Sequence, residues 1–191
     1  MRNYTTHDVD DLEAKLRAEL PGFRIAYKDD SRLHRFIAGL VWPFNARYLS
    51  DYTTVLGRTV WMPNRQWRAR QSPYALVALL RHEAVHLRDM RRFPLIFPFT
   101  YALLLPAVFT MRAYWEARAY RESMKVEAEA TGTIAAATID ALVRRFAGPE
   151  YLFMWAAPRA VRRHFERVAA EVLREVGVTD RSESSQRRAG E

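Results

Sequence analysis

Cysteine is absent from the 191 residues of this chain. Disulfide bonds, cysteine-ligated zinc and thiol catalysis are therefore excluded, and a bound metal ion would need histidine and carboxylate ligands. Acidic residues are also fewer than basic ones, 22 against 30, which gives a formal net charge of +8 at pH 7. Such a surplus favours anionic partners, but it is more often the solvated surface of several helices. We therefore do not expect a dedicated nucleic-acid site.

An apolar run is missing from residues 1–11, so we expect no secretory signal and a cytoplasmic location. Apolar residues make up 49% of the chain, which is typical of a globular protein. At this length we expect one domain over residues 1–177. Residues 178–191 are polar and poor in aromatic residues, and they are predicted to be a disordered tail.

Hydrophobic periodicity predicts an α+β fold. A helix that ends before Pro21 is followed by an alternating strand at residues 23–28 and by a helix that ends before Pro43. Two more strands, at residues 52–55 and 58–61, are joined by the two residues Leu56-Gly57. We expect a small antiparallel sheet of about three strands, packed on helices.

The C-terminal half of the chain is predicted to be mostly helical. Ser72-Pro73 combines a capping serine with a proline at the first helical position, so a helix is predicted from there to about Arg92. Later helices are predicted to begin at Pro106 and at Pro158.

The first of these helices contains the sequence His82-Glu83-Ala84-Val85-His86. Residues four apart lie one turn above each other, so both imidazoles can bind one ion with Glu83 beside its open position. At this chain's composition the pattern arises by chance in roughly one chain in a hundred, so it is specific without being decisive. It is typical of a zinc hydrolase.

A catalytic zinc ion usually has three protein ligands, so a third one must be found. The position six residues after the second histidine is Arg92, which excludes a third histidine there. The candidates are Glu116, Glu122, Asp89 and His164. Glu116 is the first choice and Glu122 the next. Asp89 is interpreted as a partner of a ligand or as a surface charge, and His164 as a solvated residue on a helix face.

These residues resemble the gluzincin class of zinc metallopeptidases, particularly its small, minimal members and related uncharacterised bacterial peptidases. The resemblance covers about residues 47–130 and includes the H-E-x-x-H helix, a glutamate on a following helix and a preceding strand pair. It implies a zincin-like fold in which His82, His86 and Glu116 bind zinc. It also implies an endopeptidase for peptide or protein substrates, in which Glu83 deprotonates a water molecule that the zinc activates.

Two further roles in this reaction are predicted. Tyr120 lies one turn after Glu116 and is a candidate donor to the oxyanion, with a tyrosine packed between helices as the alternative. Residues 55–61, interpreted as an edge strand, would pair with an extended peptide. The alternative for that hairpin is ordinary core formation.

Two other functions are compatible with the sequence. One is a catalytically inactive zincin-like module that binds metal. The other is a basic helical protein that binds nucleic acid or a membrane surface, in which H-E-x-x-H is accidental. Arginines interleaved with tryptophans fit the second alternative; they are Trp61, Arg65, Trp67 and Arg68.

Residues 93–110 carry no charge and approach the length of about 18 apolar residues that a spanning helix requires. A span would put His86 and Glu116 on opposite sides of about 30 Å of hydrocarbon, which is incompatible with one metal site. We expect a buried segment, with peripheral membrane contact as the alternative. The two histidines His7 and His34 are predicted to lie on the surface.

Overall fold

The computed structural model describes residues 1–42, 47–103, 111–148 and 153–177. Within them the fold is mixed α and β, mostly helical with a three-stranded sheet. The elements are α1 Thr6–Glu19, β1 Arg24–Tyr27, α2 Arg32–Val41, β2 Thr54–Leu56, β3 Thr59–Met62, α3 Arg65–Ala69, α4 Pro73–Arg92, the turn α5 Ile96–Pro98, a π-helix Phe99–Leu103, α6 Arg112–Thr131, α7 Ala136–Ala147 and α8 Pro158–Glu175. The chain forms two compact units, an N-terminal unit of Tyr4–Arg88 and a C-terminal unit of Met1–Asn3 with Asp89–Glu191.

The strands of the N-terminal unit form one mixed sheet in the order β1-β3-β2. β3 pairs antiparallel with β2 and parallel with β1, where Ile25 lies opposite Val60. The predicted antiparallel pairing is therefore wrong for β1. A parallel pair needs a crossover connection, and here the chain passes through α2 and β2 between the two strands.

The hairpin between β2 and β3 turns one residue later than predicted. Leu56 still pairs with Thr59, so the connection is Gly57-Arg58. Gly57 has a φ of 62°, which glycine adopts without the steric cost of a side chain. β3 has a strand on each side, so the prediction of an edge strand over residues 55–61 is wrong for its second half. β2 forms the edge.

Local sequence explains where the helices of this unit begin. Thr5 and Asp8 form a reciprocal capping box at the start of α1. At the start of α4, the Ser72 hydroxyl accepts a hydrogen bond of 3.2 Å from the backbone N–H of Ala75, immediately before the turn that Pro73 opens. α4 then runs without interruption through the H-E-x-x-H residues, as the sequence predicts.

The C-terminal unit contains a core in which α6, α7 and α8 pack together. Gly132 ends α6 in the left-handed conformation, with a φ of 77°. The buried side chains of this core are Met124, Ala128, Ile139, Leu142, Phe146, Met154, Val161, Phe165, Val168, Ala169 and Val172. The helix predicted from Pro106 begins at Arg112, with Met111 as its N-cap residue, so the predicted start is wrong. Pro106 itself and the predicted tail at 178–191 lie outside the described residues.

Part of the uncharged segment 93–110 packs on α6, but Leu95, Ile96 and Phe99 are exposed, so the expected burial is wrong for these three residues. Phe97 is buried and stacks on Tyr101, with 5.1 Å between the ring centroids, and it contacts Trp115 at 5.3 Å. Thr100 accepts a hydrogen bond of 3.1 Å from the indole N–H of Trp115. Among the residues that the structure describes, no helix has the length and apolar character that a membrane span requires.

Candidate metal centre

Both histidines of the motif lie on consecutive turns of α4. Their ring centroids are 5.0 Å apart and the ring planes meet at 80°. His86 is buried and His82 half-buried. The four-residue spacing therefore places two imidazoles on one side of the helix, as the sequence predicts.

Glu116 is buried on α6. The hydroxyl of Tyr101 donates a hydrogen bond to Oε1 of Glu116. A hydrogen-bond donor of this kind fixes the orientation of a carboxylate that binds a metal ion. Sequence analysis did not single out Tyr101, because it lies within an apolar run and its distance from Glu116 along the chain follows no helical spacing.

His82, His86 and Glu116 form a group that could hold a metal ion. Each offers one ligand atom, and these atoms all lie within 4.8 Å of one another. Two ligands of one tetrahedral zinc ion are about 3.4 Å apart, so the bound of 4.8 Å is compatible with a shared ion. Two imidazoles and a carboxylate are also a ligand set of catalytic zinc sites. The structure thus brings together the three residues that were predicted as ligands.

The other candidate ligands make different contacts. Glu122 lies 3.2 Å from the ammonium nitrogen of Lys125. Asp89 is buried and forms an ion pair of 2.7 Å with Arg118, so its interpretation as a surface charge is wrong.

His164 is half-buried, with its ring centroid 5.5 Å from that of Trp155, and is not the solvated residue that was predicted. Burial lowers the pKa of its imidazole, and Arg167 acts in the same direction. Within the described residues, no metal-binding group includes Glu122, Asp89 or His164.

Glu83 is buried and is oriented by a residue that the sequence did not indicate. The hydroxyl of Thr53 donates a hydrogen bond of 2.7 Å to Oε1 of Glu83. Thr53 immediately precedes β2, which places the beginning of the edge strand beside this carboxylate. The two residues are 30 positions apart, so only the tertiary fold brings them together.

Lys28 follows β1 and its side chain is completely buried. Its ammonium group donates hydrogen bonds to the carbonyl oxygens of Tyr48, at 2.8 Å, and of Tyr52, at 2.7 Å. Burial lowers the pKa of Lys28 to about 8, while the carboxylate of Glu83 acts in the opposite direction. Lys28 therefore holds the chain immediately before Thr53 and adds positive potential near Glu83.

His34 is completely buried, and the prediction that it lies on the surface is wrong. Its Nδ1 lies 2.7 Å from the hydroxyl of Tyr48, and its ring centroid is 4.4 Å from that of Trp61. Burial lowers the pKa of His34, and the positive charge of Lys28 acts in the same direction. α2 thus presents a histidine, rather than its largest apolar residues, to the interior of its unit.

Tyr120 contacts the helix that follows its own. Its hydroxyl accepts a hydrogen bond of 2.6 Å from Arg145, and its ring centroid lies 5.8 Å from that of Phe146. These contacts are those of a tyrosine packed between helices, the alternative that the sequence left open. A catalytic role of Tyr120 stays a prediction.

Comparisons of the chain with family models, with curated proteins and with solved structures find no match. The interpretation of the site therefore depends on its own geometry and chemistry. The resemblance to gluzincins stays a prediction based on the residues that carry it.

Proposed function

We propose that this protein is a zinc-dependent metallopeptidase of the gluzincin type with a zincin-like fold. The observation that carries the proposal is the group of His82, His86 and Glu116, with ligand atoms within 4.8 Å of one another. Glu83, between the two histidines in sequence, would then lie beside the ion as its general base. His82, His86 and Glu116 would be the three protein ligands, with one position left for water.

The donor set favours zinc over magnesium and calcium. Imidazole nitrogen suits zinc, whereas magnesium and calcium prefer sites made of oxygen ligands. When bound, zinc acts as a Lewis acid on the substrate carbonyl and lowers the pKa of water towards neutrality.

The residues of the chain itself supply the proton transfers. Glu83 accepts a proton from the attacking water and delivers it to the leaving amine. Because Thr53 donates to Oε1 of this carboxylate, the hydrogen bond holds the group in one orientation and leaves Oε2 for the proton. Tyr120 stays the candidate donor to the oxyanion in this scheme, with a tyrosine packed between helices as the alternative.

A peptide substrate would bind as an additional strand. β2 is the edge of the sheet on the side where Thr53 contacts Glu83. An extended peptide that pairs with β2 would form main-chain hydrogen bonds and pass near the general base. This arrangement suits an endopeptidase, because the peptide can extend in both directions along the edge.

Hydrolysis of dye-labelled casein tests the proposal. The wild type, after chelation and addition of zinc, is expected to release labelled peptides. Glu83→Gln should lower the rate by about 10²–10⁴-fold while zinc still binds. The exposed Glu171→Gln on α8 is a matched control and should behave like the wild type.

Measurements of zinc content and of polyanion binding separate the two alternatives. Bound zinc without hydrolysis in the wild type supports the inactive metal-binding module. Binding to polyanions that chelation leaves unchanged and that salt weakens steeply supports a basic binding protein. A cytoplasmic location and peripheral membrane contact through residues 93–110 stay predictions.

A further inference from the structure

The helix α2 exposes a stripe of large apolar side chains. Leu33, Phe36 and Leu40 are 51%, 66% and 64% exposed, and Trp42 at the end of the helix is 68% exposed. Positions three, four and seven apart lie on one side of a helix, so the first three form a continuous strip. Soluble monomers rarely leave such apolar strips uncovered unless they are binding surfaces.

The orientation of this stripe is fixed by contacts on the other side of α2. His34 is completely buried and lies within hydrogen-bond distance of Tyr48. A rotation of the helix that buried Leu33 or Phe36 would expose His34 and break this contact. Outward presentation of the apolar residues is therefore part of how the helix is packed in its unit.

Exposed arginines flank the stripe on α2, while the exposed Asp29 and Asp30 lie before the helix and Asp30 pairs with Arg65 at 2.7 Å. Arg32 and Arg35 lie exposed on the same helix, and neither forms an ion pair within the part of the chain that the structure describes. The sequence has no aspartate or glutamate from residue 31 to residue 50. An acceptor for this surface must therefore combine an apolar layer with negative charge.

We propose that Arg32, Leu33, Arg35, Phe36, Leu40 and Trp42, here termed the α2 surface, bind to the surface of an anionic lipid bilayer. Leucine and phenylalanine side chains insert at the boundary between headgroups and acyl chains, while arginines contact the lipid phosphates. Tryptophan favours the same interfacial region. The helix lies on the bilayer and does not cross it.

A second segment repeats this chemistry independently. Leu95, Ile96 and Phe99 are 83%, 53% and 52% exposed, and Arg91 and Arg92 beside them are exposed as well. No acidic residue occurs from 90 to 115. This is the segment for which the sequence offered peripheral membrane contact as an alternative. A bilayer binds apolar and basic segments without requiring a particular sequence. The two segments can therefore bind the same kind of surface although they share no sequence pattern.

Vesicle binding tests the proposal with the full chain. The wild type is expected to sediment with vesicles of phosphatidylcholine mixed with phosphatidylglycerol, and much less with phosphatidylcholine alone. The triple variant L33Q/F36Q/L40Q should bind the mixed vesicles at least about tenfold more weakly than the wild type. Arg32→Ala with Arg35→Ala should weaken binding and reduce its dependence on salt.

Two control variants separate the α2 surface from general apolarity and charge. Leu56→Gln removes an exposed leucine at the end of β2, and Arg159→Ala with Arg163→Ala removes two exposed arginines of α8. Both should bind vesicles like the wild type. Circular dichroism is expected to show the wild-type helix content for every variant, because all the substituted side chains are exposed.

Trp42 gives a readout that needs no disruptive substitution. Its fluorescence, obtained as the difference between the wild type and Trp42→Phe, should shift to shorter wavelength when mixed vesicles are added. Lack of vesicle binding, equal binding of the triple variant, or an unchanged Trp42 spectrum overturns the proposal. A dimer that the triple variant abolishes, without lipid binding, likewise overturns it in favour of a second copy of the chain.

Discussion

The hydroxyl of Thr53 donates a hydrogen bond to the carboxylate of Glu83, with 2.7 Å between the two oxygen atoms. Lys28 holds the backbone immediately before Thr53 through the carbonyl oxygen of Tyr52. The loop before β2 and the helix α4 are thereby joined at the proposed general base. The N-terminal unit therefore contains the two histidines and also orients Glu83.

Thr53→Val is expected to lower the turnover number of peptide hydrolysis by about 10–150-fold. The substitution removes a hydrogen bond to a charged group, which contributes about 1.5–3 kcal/mol. Thr53→Ser keeps the hydroxyl and should retain most of the activity. Steady-state kinetics with zinc analysis of each variant measure the effect, and equal turnover of the valine and serine variants would remove Thr53 from the mechanism.

The burial of Lys28 predicts that the free energy of unfolding changes with pH in the alkaline range. Folding lowers its pKa from 10.5 to about 8, so between these values the unfolded chain binds more protons than the folded one. The free energy of unfolding should therefore rise with pH across this window, by about 1–3 kcal/mol from this group.

Urea unfolding at several pH values measures this contribution as a difference between variants. Lys28→Met should lack the rise, while Lys15→Met, which changes an exposed lysine of α1, should keep it. Equal pH slopes for these two variants would show that Lys28 keeps an ordinary pKa in the folded protein.

Tyr101→Phe is expected to weaken zinc binding without removing a ligand. Loss of a hydrogen-bond partner of a metal ligand typically costs 10–100-fold in metal affinity, and Tyr101 donates to Glu116. Tyr114→Phe alters an exposed tyrosine of α6 and should leave the affinity unchanged. Competition with a zinc chelator gives the dissociation constants, and similar values for both variants would argue against this role of Tyr101.

Tyr120→Phe distinguishes catalysis from packing. If Tyr120 stabilises the oxyanion, turnover falls about 10²-fold or more while zinc content is unchanged. The hydrogen bond from Arg145 predicts a second effect, a stability loss of about 1 kcal/mol from the missing hydroxyl. Unchanged turnover together with this loss would assign Tyr120 to packing alone.

The sequence predicted those parts of the site that follow a local rule. The cap at Ser72 and the i, i+4 spacing of His82 and His86 depend only on helix geometry, and both occur in α4. The sequence predicts Glu116, on a following helix, as the first candidate for the third ligand, and the structure groups it with the two histidines.

The missed features depend on residues that are far apart in the chain. Thr53 reaches Glu83 across 30 positions, and Lys28 reaches Tyr52 across 24. The parallel pairing of β1 with β3 likewise depends on a crossover that periodicity does not show. The surface prediction for His34 assumes the usual amphipathic pattern. In the structure α2 packs its histidine inwards and its stripe of leucine and phenylalanine outwards, so the prediction is wrong.

The role of Glu116 as a zinc ligand is tested by the zinc content of the purified protein, compared with that of Glu116→Gln and Glu122→Gln. Both variants remove one carboxylate charge from α6, but only Glu116 belongs to the group with His82 and His86. We expect one zinc ion per chain in the wild type and in Glu122→Gln, and a large loss of zinc in Glu116→Gln. A wild type without stoichiometric zinc, or equal zinc content in Glu116→Gln, would contradict this role.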